Sequence, residues 1–386
     1  MDPRPGDDQA AESSGAADRR RVVRDAAGTA GQVLLAAALG LIIGAVLMEI
    51  AGYDWTRAYQ GLWLGAFGDP WSVADTLASA TPLILTGLAF GLCFRAGYFN
   101  IGGQGQMTVG ALAAVVVGAY IPVPTPVAVF LVLLAAGAAG AVWSLTPAFL
   151  KATRGVHEVI STIMFNWIAF YLALYLAFYS LNDPQSAERT VRVLPGVRLA
   201  PLLAGADATA AIFIAAGIAL ALYWLLWHTP WGYEMRVAGL NPSALRYAGA
   251  SPVWTINWTF MLAGMAAGIA GATQIIGRPP TYALYGDLSN LGDLGFDGIA
   301  VALIGRNHPI GIIASAVFFG ALGSGARMMQ IMAGVPLDMV RIVHGVIIIA
   351  LAAPEVWSII AKSLVRRRAA RTEPVSAQAP NSPARR

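Results

Sequence analysis

The chain has 386 residues, 57% of them apolar and only 12% charged, with a mean hydropathy of +0.62; no water-soluble domain of this length has that balance. Its net charge of +4 sits in tails and short loops rather than on one face, which argues against nucleic acid as a partner. One cysteine, Cys93, inside an apolar run excludes a disulfide framework and a zinc-ligand spacing.

Residues 1–29, rich in Ala, Asp, Ser and Gly with Arg19, Arg20, Arg21 and Arg24, read as a disordered cytoplasmic tail. The first apolar run begins near Gly31 and is long enough to span, so it reads as a retained helix rather than a cleaved signal. A hydrocarbon core needs about 20 apolar residues per helix. Runs follow at residues 31–50, 75–94, 106–121, 127–149, 158–180, 209–227, 255–276, 297–305, 310–326 and 341–361, the eighth too short to cross alone. The expected fold is all-α, a polytopic bundle of about 10 segments with broken or short helices, occupying residues 30–362. Residues 363–386 form a basic disordered cytoplasmic tail.

An even number of segments puts both ends on one side. Lys151 with Arg154, Arg236 with Arg246, Arg306, and Lys362 with Arg366, Arg367 and Arg368 share a face with the first arginine cluster, which makes that face cytoplasmic. Tyr53, Trp55, Trp71, Trp227, Trp231 and Trp357 mark run ends as an interfacial belt. Gly264, Gly268 and Gly271, with Gly320, Gly323 and Gly325, predict close helix packing.

Chemistry concentrates where the second run ends, in Arg95-Ala96-Gly97-Tyr98-Phe99-Asn100-Ile101-Gly102-Gly103-Gln104-Gly105-Gln106. A glycine-rich break at membrane depth is tolerated only against protein or a wet cavity. It lacks the Lys-Ser/Thr of a phosphate-binding loop, so no ATP site is expected in this chain and no cofactor. A fainter break, Gly295-Phe296-Asp297-Gly298, lies five segments on and therefore in the opposite orientation, which predicts inverted pseudo-repeats around a midplane transport site. Asn100, Gln104, Gln106 and Asn166 are the candidate substrate-binding residues, because neutral amides offer donors and acceptors to hydroxyls and ring nitrogens. Helix-to-helix hydrogen bonding is an equally open role for each.

Between the sixth and seventh runs, residues 231–252 read as a short cytoplasmic helix, with Asn241 as N-cap, Pro242 at the first position, and Gly249 and Pro252 closing it. Such a helix suits a partner that pushes on the bundle. Arg154 and Glu158 are a second expected contact on that side. The external stretch from Asn182 to Asp207, with Arg189, Arg192 and Arg198, is either a docking surface for an acidic binding protein or a solvated linker.

Gly97-Tyr98-Phe99-Asn100-Ile101-Gly102 with Gly105-Gln106 resembles the signature of the permease superfamily that serves branched-chain amino acids, ribose and nucleosides. The stretch Gly155–Thr162 with Asn166 is similar to its nucleoside and simple-sugar branch. Ala238-Gly239-Leu240-Asn241 and Arg246-Tyr247-Ala248-Gly249 resemble the coupling loop of ATP-binding-cassette importers, which implies ATPase contact at Gly239, Asn241, Arg246, Tyr247 and Gly249. Gly103-Gln104 and His157 depart from the usual form of these motifs.

The resemblance implies a type II importer permease without catalytic residues, metal or its own ATPase, in a bacterial inner membrane. Implied partners are a cytoplasmic ATPase that binds the ATP, a second homologous permease, and an extracytoplasmic binding protein or lipoprotein. The expected solute is a nucleoside or simple sugar. A branched-chain amino acid permease and an ion-coupled secondary transporter remain alternatives, the latter resting on Asp75, Glu158, Asp297 and His344 near run ends. An intramembrane hydrolase built on Ser324 and His344 lacks an orienting acid, and no charge ring or carbonyl filter supports a channel.

Overall fold

The computed structural model describes residue 38 and residues 40–352; the two tails, most of the first run's start and the end of the last run lie outside the described residues. Residues 45–344 form one compact unit, and a second is made of residues 1–44 with 345–386. In chain order the helices are α1 Gly40–Ile50, then α2 Trp55–Phe67, α3 Pro70–Arg95, α4 Gly103–Tyr120, α5 Thr125–Arg154 and α6 Glu158–Tyr179. After a small hairpin, β1 Asn182–Asp183 with β2 Ser186–Thr190, come α7 Ala211–His228, α8 Pro230–Leu240, α9 Pro242–Tyr247 and α10 Pro252–Ile276. The chain continues through α11 Leu294–Ile304, α12 Pro309–Ala333 and α13 Leu337–Ala352. Six of these, α3, α5, α6, α7, α10 and α12, are long and apolar enough to cross a bilayer.

Local chemistry sets the helix starts. Asp69, Thr229, Asn241 and Ser251 cap α3, α8, α9 and α10, each followed at once by proline, which lacks the amide hydrogen that a first helical position cannot use. Glycine at positive φ closes α5 at Gly155 and α12 at Gly334.

The core is a crossing of backbones. In α3 and α10, 83% and 78% of the most apolar stretch is buried, against 28% in α6 and α7, so the first pair lies inside and the second outside. A methyl on Gly140 of α5 would strike the Gly264 carbonyl of α10, and one on Gly268 would strike the Ala136 carbonyl. In lipid, where apolar side chains gain little by leaving the solvent, this close approach and its van der Waals contact hold helices together. Ser144 adds a hydrogen bond of 2.7 Å to the Phe260 carbonyl across the same seam.

Two features depart from the sequence expectation. Residues 55–67, of which the sequence singled out only Trp55 as an interfacial anchor, form α2, whose Gly61 and Gly65 lie against Met329 and Gly325 of α12. Ser324 belongs to that seam, its hydroxyl donating to the Gly65 carbonyl at 3.0 Å. The stretch expected to be external is ordered: β1 and β2 pair antiparallel, Arg189 bridges to Tyr285, and Pro195–Val197 makes a turn of 3-10 helix.

Candidate functional site

Helix α3 ends at Arg95, and Gly97, at φ +81°, turns the chain back toward the bundle. Phe99 packs edge-on against Phe90, with ring centroids 5.0 Å apart, which drives the next residue inward. Asn100 is 2% exposed, and its Oδ1 accepts from the Gly102 amide at 2.9 Å. Asn100 and Gln106 also exchange side-chain bonds, at 3.4 and 3.3 Å. From α6, Asn166 accepts from the Gly105 amide at 2.8 Å and donates to the Ile101 carbonyl at 3.0 Å. The break frees backbone groups at a helix start that no intrahelical partner can serve. These amides serve them.

Gln104 points elsewhere. Its Nε2 donates to the Gly292 carbonyl at 2.7 Å, and its Oε1 accepts from the Gly295 amide at 2.7 Å. The two breaks anticipated from sequence are thereby joined at the N-terminal ends of α4 and α11. Thr86 of α3 donates to the Leu294 carbonyl at 2.9 Å. At the other end of α11, Arg95 donates to the carbonyls of Asn307 and Arg306, at 2.9 and 3.1 Å. Those two residues both sit at φ +53°, a left-handed turn that disfavours side-chain-bearing residues.

The segment expected to be a single cytoplasmic helix is two, α8 and α9. Asn241 caps α9 as anticipated, accepting from the Ser243 and Ala244 amides at 3.0 and 3.1 Å. Leu240 and Tyr247 are 87% and 94% exposed, whereas Leu245 is buried, so α9 is seated by one leucine and shows the rest of its surface. Arg246 and Gly249 are exposed too. Gly239 is the point of attachment: a methyl on it would strike the Arg95 carbonyl, and one on Gly97 would come within 2.8 Å of the Gly239 Cα. Only two glycines allow that approach.

Asn100, Gln106 and Asn166 therefore form one bonded group, Gln104 reaches the second break, and the α8 end touches the loop leading into both. Arg95 and Thr86, which the sequence did not single out, brace α11; an arginine directly before a glycine-rich break was the available signal. Lys151 Nζ lies 2.7 Å from Glu158 Oε2, while Arg154 is exposed. Next to the Arg95 turn, burial first and then Arg95 hold the His308 imidazole below its ordinary range.

In residues 182–207, Arg198 donates to the Val193 carbonyl at 3.2 and 3.0 Å and stacks over Tyr282. Arg189 pairs with Asp183 at 3.2 Å. Of the three arginines considered for docking, Arg192 alone is exposed. Among the described residues no three His, Cys, Asp or Glu side chains gather as metal ligands, and Cys93 is buried as a free thiol.

Residues 72–352 match the family described as the permease component of branched-chain amino acid transport systems. The chain is 38% identical over 324 residues to the guanosine ABC transporter permease protein NupP of Bacillus subtilis (strain 168), covering 83% of this chain and 92% of that one. It is 31% identical over 330 residues to the nucleoside ABC transporter permease protein NupB of Lactococcus lactis subsp. cremoris, covering 83% and 89%. With the glucose ABC transporter permease protein TsgB13 of Haloferax volcanii it shares 30% over 338 residues, covering 84% and 87%.

Proposed function

We propose, from the premise that the chain belongs to the family of permease components of branched-chain amino acid transport systems, that it is the membrane subunit through which an importer passes a nucleoside. The observation that carries the mechanism is the backbone contact of Gly239 with Gly97. A cytoplasmic ATPase that binds the ATP grips the exposed surface of α9 at Asn241, Arg246, Tyr247 and Gly249. Motion of α9 and α8 then reaches Gly97 through two glycines with no compressible side chain between them.

From Gly97 the displacement divides. One route runs along the chain into Asn100, Gln106 and Asn166; the other runs through Arg95 to the Arg306–Asn307 turn and so to α11. Gln104 couples the two at their far end. The packed glycine seam of α4, α5 and α10 does not deform, so the movable parts are the break and α11. Two arrangements of these parts, each favoured by one nucleotide state of the ATPase, constitute alternating access.

A neutral solute fits a break lined with amides. Asn100, Gln106 and Asn166 shape its wall while bonded to protein, and Gln104, partly exposed, is the amide that meets solute directly. Relatives that carry guanosine or nucleosides by name favour a nucleoside, and the glucose relative supports a simple sugar as the second reading. The remaining partners are a second, homologous permease and an extracytoplasmic binding protein or lipoprotein. The setting is a bacterial inner membrane with both chain ends in the cytoplasm. Inverted pseudo-repeats account for two breaks in opposite orientations meeting at Gln104.

The test is uptake by cells carrying the complete transporter, with guanosine, uridine, glucose and leucine as separate labelled solutes. Concentrative, ATP-dependent uptake of a nucleoside supports the reading. Uptake of leucine alone, or uptake by the isolated chain in vesicles driven by an ion gradient, overturns it.

A further inference from the structure

Helix α6 carries two unlike faces. Its buried side is small and polar, with Thr162, Asn166, Ala169, Ala173 and Ala177 packed inward. Its other side is a ridge of large rings at four-residue spacing, Trp167, Tyr171, Tyr175 and Tyr179, which are 56%, 63%, 59% and 76% exposed. The rings lie together in two pairs. Trp167 and Tyr171 stack at 27° with centroids 6.1 Å apart, and Tyr175 and Tyr179 are 5.1 Å apart.

Lipid is the default neighbour of such a ridge, and the tyrosine hydroxyls argue against it. Interfacial tyrosines sit where the headgroups begin. With 22 residues in α6 and a rise of about 1.5 Å each, Trp167 and Tyr171 lie within about 4 Å of the helix midpoint and Tyr175 about 10 Å from it. All three are inside a hydrocarbon half-thickness of about 15 Å. Helical side chains lean toward the N-terminus, so the Tyr171 and Tyr175 hydroxyls tip back toward the membrane centre instead of out toward headgroups. Among the described residues neither hydroxyl, nor the Trp167 indole nitrogen, has a hydrogen-bond partner. An unpaired hydroxyl in hydrocarbon is costly. The ridge therefore calls for a polar neighbour from outside this chain, such as water.

We infer that this ridge is the solute lane of the assembled transporter, a wet aromatic track on which the flat ring of a nucleobase stacks as it moves past the break. The inference rests on the nucleoside reading above and deepens it by naming what recognises the base. Trp167 directly follows Asn166, whose amide holds the break, so the middle of the track is continuous with the movable part. Two pairs of rings in one line present a series of similar, sequence-tolerant sites for a flat base, and similar neighbouring sites are what permits passage rather than retention.

The experiment uses the complete transporter in cells with Tyr171→Cys, Tyr175→Cys and, as a lipid-side comparison, Leu220→Cys on α7, each reacted with a membrane-impermeant thiol reagent. Buried Cys93, at 0% exposure, leaves the background low. The two α6 cysteines are expected to react much faster than Leu220→Cys, and guanosine or uridine, but not ribose, to slow them. Trp167→Leu is expected to raise the apparent KM for nucleoside about tenfold. Labelling of both α6 cysteines no faster than Leu220→Cys overturns the inference, as does fast labelling that no ring-bearing solute slows. Protection by a flat-ringed solute other than a nucleoside leaves the track standing and removes the nucleoside reading alone.

Discussion

Replacing Gln104 with leucine removes both bonds that join the two breaks while leaving the side-chain volume nearly unchanged. Their weights differ. Gly292 is exposed, so water replaces the lost donor to its carbonyl, whereas Gly295 is buried and its amide loses an acceptor that no solvent supplies. A buried backbone amide left unsatisfied costs about 1–3 kcal/mol, and Gln104→Leu should fall in that range. Gln104→Glu keeps the acceptor for the Gly295 amide, places a negative charge at two helix N-termini, and gives up only the exposed bond, so it should cost less than about 1 kcal/mol. Thermal unfolding of the purified complex in nanodiscs checks this, with an apparent Tm lower by a few degrees for Gln104→Leu and close to wild type for Gln104→Glu. Uptake should follow the same order, because the hydrogen bonds that join α4 to the start of α11 are made by this side chain. Wild-type stability and uptake in Gln104→Leu, or an equal loss in both variants, would refute the argument.

Four further outcomes are expected. Gly264→Val drives a branched side chain into the Gly140 carbonyl and Ser144; since the nearest obstacle is a backbone carbonyl, the loss should reach about 3 kcal/mol and appear as little folded protein by size-exclusion chromatography. Gly239→Val, pressed against Arg95 and Gly97, should leave ATP hydrolysis by the assembled complex while sharply reducing uptake, and equal loss of both would show that the contact merely holds the fold. Arg198→Glu breaks two bonds to the Val193 carbonyl and the Tyr282 stack and should lower Tm, whereas Arg192→Glu should leave Tm unchanged and weaken only capture of the binding protein. His308 is held below its ordinary range in the fold, so the folded state binds that proton less readily than the unfolded chain; stability is therefore full above the ordinary histidine range, near pH 6.5, and declines below it as pH falls toward the folded value. His308→Gln should flatten that decline in a pH series of Tm measurements.

Much of this arrangement is written in local sequence. Apolar runs of bilayer length, proline after a capping side chain, and glycine where a helix must stop are near-neighbour chemistry, so they gave the spans, Asn241 and Pro242 of α9, and the glycine-rich end of α3 without knowledge of any contact. The paired breaks were also visible, because an interruption in an apolar run is a one-dimensional signal. What sequence left open was the destination of each polar group. Asn100, Gln106 and Asn166 are amides 66 residues apart at the extremes, and nothing local says that Asn166 completes the first turn of α4. Gln104 looks like its neighbours in sequence, yet it turns to the second break because α11 lies there.

The existence of α2 was decided in the same way, by Gly61 and Gly65 meeting α12 rather than by hydropathy. Arg189 and Arg198 belong to a stretch that sequence left open between a docking surface and a solvated linker, and only the fold shows that Asp183, a carbonyl and a ring hold them. The aromatic spacing of α6 was present throughout, but only tertiary packing shows which side of that helix is buried, and hence that its Tyr171 and Tyr175 hydroxyls have no hydrogen-bond partner among the described residues. Hydropathy and capping act over a few residues and can be read in order along a chain. A hydrogen bond between residues 191 positions apart, such as that of Gln104 with Gly295, depends on where folding brings the second segment, and that is a property of the packed bundle.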